Sequence, residues 1–141
     1  MTDLPALLAR VEAATGGDRG LDREILEAVG GAVDGQYWRW PGEENSSSFG
    51  VTPPFTTSLD ATVALVEKLR PKWDILSGQN WAHFHSTDPA RRAYFCNMSP
   101  RFKADGSLND EDTLNVVGHG HTEVLARLAA LLRSIIEEEG K

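Results

Sequence analysis

Residues 122–138, TEVLARLAALLRSIIEE, carry the longest amphipathic pattern in the chain. Apolar side chains recur there at helical spacing and cover a broad face: Val124, Leu125, Leu128, Leu131, Leu132, Ile135 and Ile136. A coiled-coil seam is narrower, so this breadth predicts a helix that is buried against a sheet. Thr122 stands at the position of its N-cap.

The strands of the predicted sheet are stretches rich in aromatic and other apolar residues. Residues 73–77 and 81–86 flank a short turn at residues 78–80, which predicts a hairpin. Residues 93–98 predict a third strand, and the aromatic residues 36–40 predict another, earlier in the chain.

Three further amphipathic helices are predicted in the first half of the chain. The first starts near residue 4 and ends before Gly16, and the second lies within residues 21–31. The third spans Leu59–Leu69, with Ser58 as its N-cap. Helices interspersed with mainly antiparallel strands indicate an α+β fold, in which amphipathic helices pack on a small sheet.

Length and composition limit the classes of protein that fit. The 141 residues are enough for a single domain, predicted over residues 1–141. A net charge of -7 disfavours nucleic acid and anionic membranes as partners. No apolar run approaches the roughly 20 residues of a membrane-spanning helix. One cysteine excludes an internal disulfide framework and fits a cytoplasmic protein.

The four histidines form two H-x-H pairs, His83 with His85 and His119 with His121. On a strand, residues two apart share a face, so the first pair could bind one ligand. The second pair is predicted in a glycine-hinged loop before the last helix. If that loop lies over the sheet, the four imidazoles could converge on a tetrahedral zinc ion. The alternative is a polar strand face and a glycine-shaped turn without metal.

Two other patterns contain residue types that act in catalysis, and neither predicts a complete catalytic site. Residues 85–87 match the H-x-T element that two-histidine phosphoesterases use twice, but the sequence holds no second copy. Cys96 lies among apolar neighbours, which predicts a buried, unreactive thiol.

A basic cluster could bind an anion. Arg91 and Arg92 precede the strand predicted at residues 93–98, and Arg101 and Lys103 follow it. The start of the last helix at Thr122 offers free N–H groups to an anionic ligand. These residues could form an anion site, with a solvated sheet edge as the alternative.

Three stretches resemble the phage ABA sandwich domain family, small proteins encoded by phages and prophages. They are ATGGDRGLDREILEAVGG at residues 14–31, PFTTSLDATVALVEKLRPKW at residues 54–73 and GHGHTEVLARLAALLRSI at residues 118–135. The second is similar to the family's F-T-x-S-L-D-A-A helix, which a tryptophan strand follows. The third is similar to its G-x-G-A-T-P-A-L-A-L ending. The likeness covers roughly residues 4–136.

The resemblance implies an α-β-α sandwich and no particular reaction, because the family has no established activity. The sequence departs from the family pattern where His121 replaces a small residue and Glu123 replaces a proline.

Together these features favour a non-enzymatic binding module without a cofactor, which acts in the cytoplasm of a bacterial host. Its expected partner is a host or phage protein, or a small anionic ligand. One alternative is a zinc-dependent hydrolase or phosphoesterase that uses the paired histidines. Another is a protein that sequesters a nucleotide-like anion through Arg91, Arg92 and Thr122.

Overall fold

The computed structural model describes residues 3–43, 47–79, 94–100 and 116–139. Within these ranges the chain forms four helices and six strands. The helices are α1 (Leu4–Ala13), α2 (Arg19–Ala28), α3 (Leu59–Leu69) and α4 (Glu123–Glu139). The strands are β1 (Ala32–Asp34), β2 (Tyr37–Arg39), β3 (Ser48–Phe49), β4 (Trp73–Gln79), β5 (Tyr94–Pro100) and β6 (Val116–Gly120).

The strands form two small antiparallel sheets, in the orders β1-β2-β3 and β4-β5-β6. The predicted α+β class is therefore confirmed, with two three-stranded sheets in place of the one predicted. In the second sheet, β4 pairs with β5 from Trp73 opposite Pro100 to Gln79 opposite Tyr94. The strand predicted at residues 81–86 lies outside the described residues.

Each described helix begins after a side chain that accepts a hydrogen bond from a backbone N–H of the first turn. The pairs are Asp3 with Ala6 (3.3 Å), Asp18 with Leu21 (3.1 Å), Ser58 with Ala61 (3.2 Å) and Thr122 with Leu125 (3.1 Å). Such a cap contributes about 1 kcal/mol. The caps predicted at Ser58 and Thr122 are confirmed. Helix α2, which Asp18 caps, begins at Arg19, two residues before the Leu21 at which the sequence pattern begins.

Helix α4 is the centre of the fold. It contacts all three strands of the second sheet and also packs against α1 and α3. Its buried residues include Leu125, Leu128, Leu131 and Leu132, all with no exposed surface. The predicted burial of its broad apolar face against a sheet is confirmed.

Strand β6 corrects the prediction of a glycine-hinged loop at residues 118–121. Neither Gly118 nor Gly120 adopts a positive φ, so neither glycine is needed for a turn. Instead, a Cβ at Gly118 would lie 2.5 Å from the carbonyl oxygen of Ala126. A Cβ at Gly120 would lie 2.7 Å from the backbone nitrogen of Ala126. The glycines let β6 lie directly on the backbone of α4, which explains why a strand contains them.

Candidate functional site

Four of the seven predicted site residues lie outside the described residues. They are Arg91 and Arg92 of the predicted anion site, and His83 and His85 of the predicted zinc site. The zinc-dependent enzyme and the nucleotide-sequestering protein therefore stay predictions from the sequence.

The start of α4 is occupied by groups of the protein itself. The Thr122 hydroxyl accepts the hydrogen bond of the Leu125 N–H (3.1 Å), which is the capping role. Glu123 places a carboxylate in the first turn. A carboxylate there is attracted by the positive end of the helix dipole and repels a second anion. This end of α4 therefore gives no support to an anion site at Thr122.

The two described histidines differ in their surroundings. His119 lies in β6 opposite Phe95, on the sheet face that points away from α4, whereas His121 lies in the turn before α4. Across residues 3–43, 47–79, 94–100 and 116–139, no three His, Cys, Asp or Glu side chains form a group that could hold a metal ion.

Polar side chains join β4 to α4 near this turn. The Ser77 hydroxyl donates to Oε1 of Glu123 (2.7 Å) and accepts a hydrogen bond from the guanidinium of Arg127 (3.1 Å). Arg127 also lies 3.5 Å from the Glu123 carboxylate. Because the hydroxyl is held between a carboxylate and a guanidinium, this cluster ties the helix to the sheet.

Cys96 lies on the strand next to Ser77 and is buried, as predicted. Burial raises the pKa of its thiol to about 11; Glu123 adds to the shift, and the positive charge of Arg127 opposes it. At neutral pH the side chain is therefore the thiol and not the nucleophilic thiolate.

The first sheet has one half-buried face, which packs against the core, and one exposed aromatic face. Val33 and Trp38 pair across β1 and β2 and pack against the core. On the opposite face, the rings of Tyr37 and Phe49 meet edge-to-face with centroids 5.4 Å apart. Tyr37 is 53% exposed, Phe49 is 70% exposed, and Val51, two residues further along the chain, is 73% exposed. We call Tyr37, Phe49 and Val51 the aromatic surface.

A cavity of about 450 Å³ adjoins the aromatic surface. This volume is within the range of small-molecule sites. The lining residues are Ala32, Asp34, Tyr37, Trp38, Arg39 and Ser47. The cavity therefore combines an aromatic wall with a carboxylate and a guanidinium.

The chain segment that follows the first sheet is anchored to α2. The Arg19 guanidinium donates to the carbonyl oxygen of Thr52 (3.0 Å). The carboxylate of Asp22 accepts hydrogen bonds from the N–H and the hydroxyl of Thr56, both at 2.7 Å. Val51 is next to Thr52, so α2 fixes the position of this part of the aromatic surface.

Aromatic rings that meet edge-to-face join the inner side of the first sheet to the core. Trp38 contacts Trp40 and Trp40 contacts Phe55, with centroids 5.4 and 5.9 Å apart. The Lys68 ammonium lies 5.9 Å from the centroid of Trp40 and forms an ion pair with Glu43. Because this side packs against the core, the exposed rings are presented on a fixed backbone.

The aromatic surface and its cavity were not predicted from the sequence. One signal was the spacing within residues 37–40, YWRW, since alternate residues of a strand face opposite sides. No helix in the described ranges is long and apolar enough to cross a membrane. Comparison of the chain with protein-family models, with curated proteins and with solved structures found no match.

Proposed function

We propose that this protein is a non-enzymatic binding module that binds another protein through the aromatic surface. The observation that carries the proposal is the exposure of Tyr37 and Phe49 on one face of a sheet whose other face packs against the core, with Val51 exposed two residues beyond Phe49. Contiguous exposed apolar groups on a folded domain are typical of interaction sites. Tyrosine and phenylalanine are enriched in such interfaces because each buries a large area with few rotatable bonds.

The charge of the chain supports a protein as the partner. Residues 1–70, which contain the aromatic surface, carry 11 acidic and 6 basic side chains. This excess of negative charge repels phosphate groups, so nucleic acid and anionic membranes are disfavoured. A protein that has an apolar contact surface with basic residues beside it is favoured as the partner. Its apolar surface would match the aromatic surface, and its basic residues would be attracted by the acidic side chains of residues 1–70.

The biological setting of the proposal comes from the sequence resemblance. The stretches at residues 14–31, 54–73 and 118–135 resemble the phage ABA sandwich domain family. We therefore propose a phage- or prophage-encoded accessory protein that acts on a host or phage protein in the bacterial cytoplasm. Two potential nucleophiles fit a non-enzymatic role, since the Cys96 thiol is buried and the Ser77 hydroxyl is held by Glu123 and Arg127.

The test isolates a protein partner, purifies it and measures its affinity for three variants by calorimetry. Immobilised wild-type protein retains candidates from a lysate of the encoding bacterium, and each candidate is then purified. We expect Phe49→Ser to weaken binding at least tenfold, because the substitution removes the most exposed ring of the aromatic surface. The matched control is Leu76→Ser on β4, which removes another exposed apolar side chain (66% exposed) from the other sheet. We expect this control to keep the wild-type affinity within twofold.

Three results contradict the proposal. One is a purified partner that binds Phe49→Ser as tightly as wild type. Another is a partner whose affinity falls with Leu76→Ser and not with Phe49→Ser. The third is that no purified protein binds the wild type at micromolar concentration.

A further inference from the structure

The aromatic surface has a carboxylate at its edge. The strand register places Asp34 directly opposite Tyr37, and Tyr37 directly opposite Phe49. Residues opposite each other in antiparallel strands share a face, with Cβ atoms about 4.5–5.5 Å apart. Asp34, Tyr37 and Phe49 therefore form one row across the exposed face, beside the cavity of about 450 Å³.

The charge of Asp34 is available to a ligand. The side chain is exposed, and within the described ranges it forms no ion pair or side-chain hydrogen bond. A carboxylate beside an aromatic ring attracts a cation in two ways. The carboxylate forms an ion pair with it, and the face of the ring attracts its positive charge. The excess of acidic side chains in residues 1–70 adds a long-range attraction of the same sign.

We infer that the cavity receives one basic side chain, a lysine or an arginine, of the protein that docks on the aromatic surface. Asp34 binds the charged group, and the ring of Tyr37, which also lines the cavity, contacts the methylene stem. The inference rests on the proposed function, since it names the chemistry by which the aromatic surface selects its partner.

Arg39 limits where the positive charge can lie. It lines the same cavity opposite Ala32, two register positions from the Asp34–Tyr37 pair and on the same face, and it makes an interaction of its own. Its guanidinium repels a second cation. The ammonium or guanidinium group of the partner therefore lies at the Asp34 end of the cavity, against Tyr37.

The test uses three blocked tripeptides that differ in one central side chain: acetyl-Leu-Lys-Leu-amide, its norleucine analogue and its glutamate analogue. Dissociation constants are measured by NMR titration of the backbone amides of Asp34 and Tyr37 in the full chain. We expect the lysine peptide to bind wild type at least fivefold more tightly than the norleucine peptide. The advantage should disappear in Asp34→Asn and shrink as salt is added. The control Glu137→Gln removes the same charge from an exposed site on α4 and should leave the advantage intact.

The outcomes separate this inference from the proposed function. Equal binding of the lysine and norleucine peptides, with both lost in Phe49→Ser, overturns the basic anchor and leaves the aromatic surface as a docking site. Binding of all three peptides that is unaffected by Phe49→Ser overturns the proposed function itself.

Other occupants of the cavity give their own results, and each overturns the inference. Preference for the glutamate peptide that is lost in Arg39→Gln means an anionic ligand. Butylammonium alone binding as tightly as the lysine peptide means a small organic cation. Changes in the NMR chemical shifts of Tyr37 and Phe49 that depend only on protein concentration mean that a second copy of this chain occupies the cavity.

Discussion

The variant Gly118→Ala is expected to lose about 3 kcal/mol or more of unfolding free energy, because its new methyl group has no space. The added Cβ would lie 2.5 Å from the carbonyl oxygen of Ala126 and 2.7 Å from the Cα of Ala130. These are backbone atoms in the middle of α4, and they cannot rotate away as a side chain can. Relief requires β6 to move off the helix that forms the centre of the fold, which opens the core. Urea unfolding followed by tryptophan fluorescence measures the loss.

Two controls show whether the backbone contact is the cause. Gly16→Ala makes the same chemical change at a position with no atom within 4 Å of the new Cβ, so its stability should stay within about 0.5 kcal/mol of wild type. The double variant Gly118→Ala/Ala130→Gly should not recover stability, since the contact at residue 130 is with backbone atoms. A loss below about 1 kcal/mol in Gly118→Ala would contradict the close approach of β6 to α4.

The variant Asp22→Ala is expected to lose about 3 kcal/mol, because it leaves buried donors without their acceptor. Asp22 is only 1% exposed, and its carboxylate accepts hydrogen bonds from both the N–H and the hydroxyl of Thr56. In this variant the Thr56 hydroxyl can still donate to the carbonyl oxygen of Asp18, which is 3.3 Å away. The Thr56 N–H loses the Asp22 oxygen that accepts its hydrogen bond. Most of the loss therefore comes from the Thr56 N–H group, whose hydrogen bond to Asp22 is removed.

The conservative variant separates this hydrogen-bond network from the packing of the side chain. Asp22→Asn keeps the shape and one acceptor oxygen, so it should be less destabilising than Asp22→Ala in the same urea titration. The control Asp60→Ala, on the exposed first turn of α3, should cost about 0.5 kcal/mol. Equal stability of Asp22→Ala and Asp60→Ala would show that the network does not anchor the segment from Thr52 to Thr56.

The helices could be predicted from the sequence because their signals are local. The apolar spacing of α4 and the capping residues Ser58 and Thr122 act within one or two helical turns, and the structure has helices at these positions. Strand β6 could not be predicted, since its glycines are explained by contact with α4, a helix that only the fold brings beside them. Sequence reasoning therefore gave Gly118 and Gly120 the role of a hinge.

The first sheet shows a signal that was present and missed. A glycine at the first position of a two-residue hairpin loop is a recognised signal, and the structure has such a loop at residues 35–36, with Gly35 at a φ of +61°. Strand β3 has only two residues in a serine-rich stretch, so no periodicity identifies it. The pairing of Phe49 with Tyr37 depends on that strand. For this reason the aromatic surface is visible in the structure and not in the sequence.

Site-specific photocrosslinking in the encoding bacterium tests the central claim most directly. The photoreactive residue p-benzoylphenylalanine replaces Phe49 in one strain and Leu76 in a second strain. The proposed function predicts a light-dependent adduct of one defined mass with a cellular protein from position 49, and none from position 76. An adduct from position 76 with none from position 49 would contradict the claim that the aromatic surface binds the partner.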